Sequence, residues 1–152
     1  MCGIAGIINF NEGDYEDKSI IENILKNINH RGPDFSDYVK INNNYLGMAR
    51  LSIIDVKNGN QPIKSNCGNY IIIFNGEIYN YQILRNELIA NGVIFKTLSD
   101  TEVLLNAFIF WGLDFFDKIE GMFACSIYNI KENKFLIFRD RLGKKPLYYL
   151  NI

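Results

Sequence analysis

Tyr70-Ile71-Ile72-Ile73-Phe74-Asn75-Gly76 is the stretch from which the fold can be read. Five consecutive apolar residues, mostly β-branched or aromatic, have the signature of a central strand covered on both faces. Asn75-Gly76 reads as its abrupt end. Such a strand needs partners within its sheet and layers above and below it. Toward the C-terminus, residues 122–128 and 135–138 read as two more strands joined by the polar turn 129–134, and residues 147–150 as a last one. Toward the N-terminus, residues 3–9 read as a buried strand. Residues 38–41 and 45–54 read as a hairpin about Asn42-Asn43-Asn44, followed by the turn cluster 58–62. Helices alternate with these pieces. Ile20, Ile21, Ile24, Leu25 and Ile28 share one helical face, and Gly32-Pro33 forces the chain out of helix. An acidic segment, residues 12–17, precedes that helix. Residues 81–90 form an amphipathic helix stopped by Asn91-Gly92. Ser99-x-x-Glu102 is a capping box opening a third helix, with Val103, Leu104, Ala107, Phe108 and Trp111 on its apolar side and Gly112 closing it. Mixed strands, mostly antiparallel, with two or three helices predict sheets covered by helices.

Composition narrows the function. The 152 residues suffice for one domain, and 48% hydrophobic with 22% charged residues is the globular norm. A net charge of −1 gives no footing for nucleic acid or a membrane surface. No apolar run has the length of a membrane span, and the start lacks a basic stretch followed by an apolar one, so a cytoplasmic setting with reduced thiols is expected. Cys2, Cys67 and Cys125 make neither a C-x-x-C pair nor an even disulfide framework, and a single histidine, His30, rules out a multi-histidine metal site.

The chemistry gathers around Cys2. If Met1 is trimmed, Cys2 carries a thiol and a free α-amine on one residue, and an amine with a pKa of about 7.7–8.0 can act as base for a thiol of about 8.5. Taken alone, a cysteine at the second position reads first as a small buried residue. His30-Arg31-Gly32-Pro33-Asp34 reads first as a rigid turn with an internal ion pair, although His30 also suggests a Cys-His dyad with Cys2. Arg50, interrupting an apolar stretch, fits a bidentate carboxylate grip and fits equally an internal pair with Asp55 or another acid. Asn75-Gly76-Glu77 reads first as an ordinary Asn-Gly turn, although it also offers a side-chain amide and a glycine N–H that could converge on one oxygen. Asp100 suits either the first turn of a helix or a substrate ammonium.

Met1-Cys2-Gly3-Ile4-Ala5-Gly6, His30 to Asp34, Arg50-Leu51-Ser52-Ile53-Ile54-Asp55, Asn60-Gln61-Pro62, Asn75-Gly76-Glu77-Ile78-Tyr79-Asn80-Tyr81, Ser99-Asp100-Thr101-Glu102, Gly121-Met122-Phe123-Ala124 and Arg139-Asp140-Arg141-Leu142-Gly143 with Lys145-Pro146-Leu147-Tyr148-Tyr149 occur in that order. In these stretches the chain resembles the N-terminal class II, N-terminal-nucleophile (Ntn) glutamine amidotransferase domain of glutamine-hydrolysing asparagine synthetases. The resemblance implies an α+β fold, a four-layer αββα sandwich of two antiparallel sheets, here lacking the last strands that the family carries beyond about Tyr149. It implies a single amidotransferase domain over residues 1–152, with the ATP-dependent synthetase domain absent. It implies Cys2 as nucleophile with its own amine as base, Asn75 and Gly76 as oxyanion donors, Arg50 for the α-carboxylate of L-glutamine and Asp100 for its α-ammonium. Glu77 and the backbone of Leu51, Ile53 and Ile54 would complete the pocket. No metal or cofactor is implied for this chain, because ATP and magnesium belong to the synthetase domain, which would be its partner. Ammonia feeding asparagine synthesis is the implied outcome; a sugar or peptide acceptor, or a non-catalytic binding module, are the alternatives.

Overall fold

The computed structural model describes residues 1–9 and 17–151. Its elements are β1 (Gly3–Ile7), α1 (Lys18–Ile28), β2 (Phe35–Ile41), β3 (Asn44–Arg50), β4 (Ile63–Lys64), β5 (Tyr70–Ile78), α2 (Tyr81–Ala90), α3 (Asp100–Trp111), β6 (Gly121–Asn129) and β7 (Lys134–Arg139), with short 3-10 turns after α1 and α3. Two antiparallel sheets form, one ordered β1-β3-β2 and the other β4-β5-β6-β7. Most of the acidic segment, residues 12–16, lies outside the described residues.

Side-chain alternation builds the layers. On β5, Ile72, Phe74 and Ile78 face α2 and α3, joining Leu84, Leu88, Val103, Leu104 and Phe115 in the largest apolar cluster. The intervening Ile71 and Ile73 face the other way and meet Leu46 of β3 and Tyr128 of β6 between the sheets. Behind the first sheet, Ile21 and Leu25 of α1 pack on Tyr45. The order is helix, sheet, sheet, helices: an α+β, four-layer αββα sandwich. Among the described residues no helix is long and apolar enough to cross a membrane.

Four expectations change. The central strand does not stop at Asn75-Gly76 but runs on to Ile78, paired with β6 down to Ile78↔Gly121. A Cβ on Gly76 would lie 2.2 Å from the Met122 carbonyl oxygen, so the glycine permits close strand approach and makes no turn. Residues 51–54 leave the sheet, because β1 pairs β3 only as far as Gly3↔Ala49. The first strand is a half-buried edge ending at Ile7, not a buried strand reaching residue 9. Residues 147–150 form no strand, and Tyr148, Tyr149 and Leu150 stand exposed. The two-residue β4, pairing only Ile71 and Ile72, lay hidden beside the turn cluster.

Candidate functional site

Shortness of β4 leaves much of one edge of β5 uncovered. Backbone N–H groups alternate along a strand, so those of residues 70, 72, 74, 76 and 78 point toward this edge. Phe74 N–H donates to Gln61 Oε1 (2.7 Å) and Ile78 N–H to Asp100 Oδ2 (3.1 Å). Gly76 N–H lies between them and finds no acceptor among the described residues. Gln61 is itself held by a bond from Nε2 to Thr101 Oγ1 (3.0 Å), which ties β5 to the start of α3.

A cleft opens here, lined by Met1, Cys2, Arg50, Leu51, Ile53, Ile54, Asn75, Gly76, Glu77 and Asp100, with Gly59, Gln61, Phe74, Ser99, Thr101, Met122 and Lys145 completing its wall. Every residue that the resemblance assigned to the site therefore reaches one cleft. Cys2 precedes β1, its Sγ accepting from Leu51 N–H (3.4 Å) and facing the Leu51 carbonyl oxygen (3.6 Å). Arg31 Nε donates to the Cys2 carbonyl oxygen (3.1 Å), so Arg31 anchors the terminus; Asp34 accepts from Ser52 N–H (2.8 Å) and makes no internal pair with Arg31. His30 is exposed, bonded through Nδ1 to the Asn27 carbonyl oxygen (3.0 Å), and lies outside the cleft wall. Cys125 is buried, which pushes its thiol well up, and neither it nor the exposed Cys67 reaches the cleft.

Among the polar side chains of the wall, Arg50, Asn75, Asp100 and Lys145 are each no more than 5% exposed. Burial of this kind is costly unless a partner is supplied. Asn75 projects from β5 on the inter-sheet side, and its amide has no hydrogen bond among the described residues. Arg50 takes a course that neither sequence reading foresaw. Nη1 donates to Val56 O (3.1 Å) and Asn60 Oδ1 (2.7 Å), and Nη2 to Ile54 O (3.0 Å) and Asp55 O (2.8 Å). Its terminal donors thus hold the 54–60 loop, Nε makes no hydrogen bond among the described residues, and no carboxylate of the described residues lies within ion-pair distance. The Asp55 carboxylate instead caps the loop, accepting from Leu98 N–H (2.7 Å) and Asn58 N–H (3.2 Å), bonds that hold it below the usual carboxylate range.

Asp100 begins α3, whose N-cap Ser99 accepts from Glu102 N–H (3.2 Å). The reciprocal half of the capping box is missing, because the Glu102 carboxylate accepts from Lys96 and Thr97. Burial outweighs the bond from Ile78 N–H and, with Glu77 adding repulsion, raises the Asp100 carboxyl to about 6. Among the described residues no cluster of three or more His, Cys, Asp or Glu side chains could hold a metal ion. Sequence reasoning missed Gln61 and Lys145; both sat inside quoted motifs, and neither residue type advertises where its side chain goes.

The chain matches the family described as glutamine amidotransferase domain over residues 1–152. It is 44% identical over 156 residues to asparagine synthetase [glutamine-hydrolyzing] 1 of Bacillus subtilis (strain 168), covering 100% of this chain and 24% of that protein. It is 38% identical over 148 residues to asparagine synthetase B [glutamine-hydrolyzing] of Escherichia coli (strain K12), covering 97% of this chain and 26% of that protein. The chain thus spans about a quarter of the length of these relatives. A solved structure of glutamine phosphoribosylpyrophosphate amidotransferase from B. subtilis, complexed with ADP and GMP, shares the fold at a TM-score of 0.67 and 22% identity, over 90% of this chain and 37% of that one.

Proposed function

Because the chain belongs to the glutamine amidotransferase domain family, we propose that it hydrolyses the side-chain amide of L-glutamine, with Cys2 as nucleophile once Met1 is removed. The observation that carries this reading is the meeting, in one cleft, of a thiol at the chain start, two unspent donors, a buried guanidinium and a buried carboxylate. The freed α-amine takes the Sγ proton, and the thiolate attacks the amide carbon. Charge develops on the amide oxygen, and Asn75 Nδ2 with Gly76 N–H are the donors available to it. The carbon–nitrogen bond then breaks, the proton held by the amine passes to the departing nitrogen as ammonia leaves, and water releases glutamate from the thioester. Asp100 takes the α-ammonium. Arg50 offers the α-carboxylate its charge and Nε–H, its other donors being committed to the loop. Glu77 and the backbone of Leu51, Ile53 and Ile54 complete the walls.

The names of the relatives support asparagine synthesis as the destination of the ammonia; to this we add a synthetase domain or subunit that uses ATP and magnesium to make asparagine from aspartate, in the cytoplasm. The direct test is glutamate release by purified chain whose intact mass shows Met1 removed. Wild type should release glutamate and Cys2→Ala should not; equal release by both overturns the reading.

A further inference from the structure

The motif running from Arg139 to Tyr149 has no part in the chemistry above, yet it delivers a charge into the cleft. Beyond β7 the Asp140 carboxylate accepts from Phe123 N–H (3.2 Å), Lys144 N–H (2.8 Å) and Lys145 N–H (3.0 Å), and Asp140 N–H donates to Phe123 O (2.9 Å). One side chain therefore bolts the 140–145 loop to β6 and turns Lys145 inward. Lys145 is 5% exposed, its ammonium faces Met1 Sδ at 2.8 Å, and no carboxylate of the described residues lies within ion-pair distance. A thioether is a weak acceptor for a desolvated ammonium. It is also the group that leaves when Met1 is removed. Removing Met1 takes this partner away and makes the Cys2 nitrogen the new amino terminus of the same cleft that Lys145 lines.

Resting on the proposed N-terminal nucleophile, we propose that Lys145 is a positioning residue for Cys2: its ammonium favours the neutral, proton-accepting form of the freed α-amine and, with it, the thiolate. A second positive charge on the amine is disfavoured beside the first, while a negative sulfur is favoured. The other charged groups facing Cys2 are Arg31 at its carbonyl, Arg50 at the end of β3, Glu77 on β5 and Asp100 at the start of α3. Arg31 and Arg50 are already bonded to backbone oxygens, which leaves Lys145 as the cation not committed to the surrounding loops.

The test is the pH dependence of Cys2 alkylation by iodoacetamide, read on the N-terminal peptide of trimmed protein, in wild type, K145M and K145R. K145M should move the labelling midpoint up by about one pH unit, with labelling about tenfold slower below the midpoint and equal above it. K145R should track wild type. K145Q carries the same expectation as K145M and stands in for it if circular dichroism shows the methionine variant unfolded. A K145M or K145Q profile overlaying wild type overturns the proposal, as does an unmoved profile accompanied by a raised KM for glutamine, which would make Lys145 a substrate contact. Labelling needs no glutamine, so absence of glutamate release from wild type would count against the glutaminase reading and leave this result to be judged on its own.

Discussion

On the proposed reading, the buried Asp100 works for binding and against folding. Its carboxyl ordinarily titrates at 3.8 and is raised here to about 6. Between those values the folded chain holds a proton that the unfolded chain has released, so stability declines as pH rises through this window and stays lower above it. Asp100→Asn removes that penalty while keeping an oxygen for Ile78 N–H. The variant should unfold later than wild type at pH 7.5, by about 1–3 kcal/mol, with the difference closing below about pH 4. It should also lose glutamine, because the amide cannot neutralise an ammonium. In wild type the KM for glutamine should climb as pH falls through about 6. Thermal melts at the two pH values and a KM–pH profile check both halves.

At the scale of elements, β5 supplies the site through its backbone as much as its side chains. Where β4 stops, Gln61 and Asp100 take the N–H groups of Phe74 and Ile78, which leaves that of Gly76 unspent between them. Gly76→Ala should therefore fail structurally before it fails chemically. Its Cβ would sit 2.2 Å from Met122 O and 2.6 Å from Phe123 Cα, both backbone atoms, so the β5–β6 pair must part. Reduced thermal stability with altered amide exchange along both strands is the expected result. The same strand shows what a sequence conveys. Its apolar run announced a central strand, because only burial on both faces calls for five such residues in a row. Asn-Gly read as a turn because local preference favours one; pairing with β6 overrides that preference. Residues 147–150 carried strand-forming residues, but strand formation needs a partner and none is present among the described residues. The reach of Arg50 into four loop acceptors was illegible, since it depends on the path of a loop that the arginine itself organises.

For the whole molecule, the cleft sits where the two sheets meet: Arg50 ends β3 of one and Cys2 immediately precedes its β1, while Asn75 and Gly76 belong to the other. Its geometry therefore depends on the inter-sheet packing of Leu46, Ile71, Ile73 and Tyr128, none of which lines the cleft. Leu46→Ala should cost about 2–5 kcal/mol in urea unfolding. It should also slow glutamate release under conditions where the protein remains folded, with wild-type release rates as the check.

Docking of the Met1 thioether on the Lys145 ammonium has a practical corollary for anyone producing this protein. On the proposed mechanism, an affinity handle fused ahead of residue 1 would tie up the nitrogen that accepts the proton and place its last residues in the cleft. Such a preparation would look well folded and be inert. A handle on the opposite terminus, with a host that clips the initiator efficiently, avoids both faults.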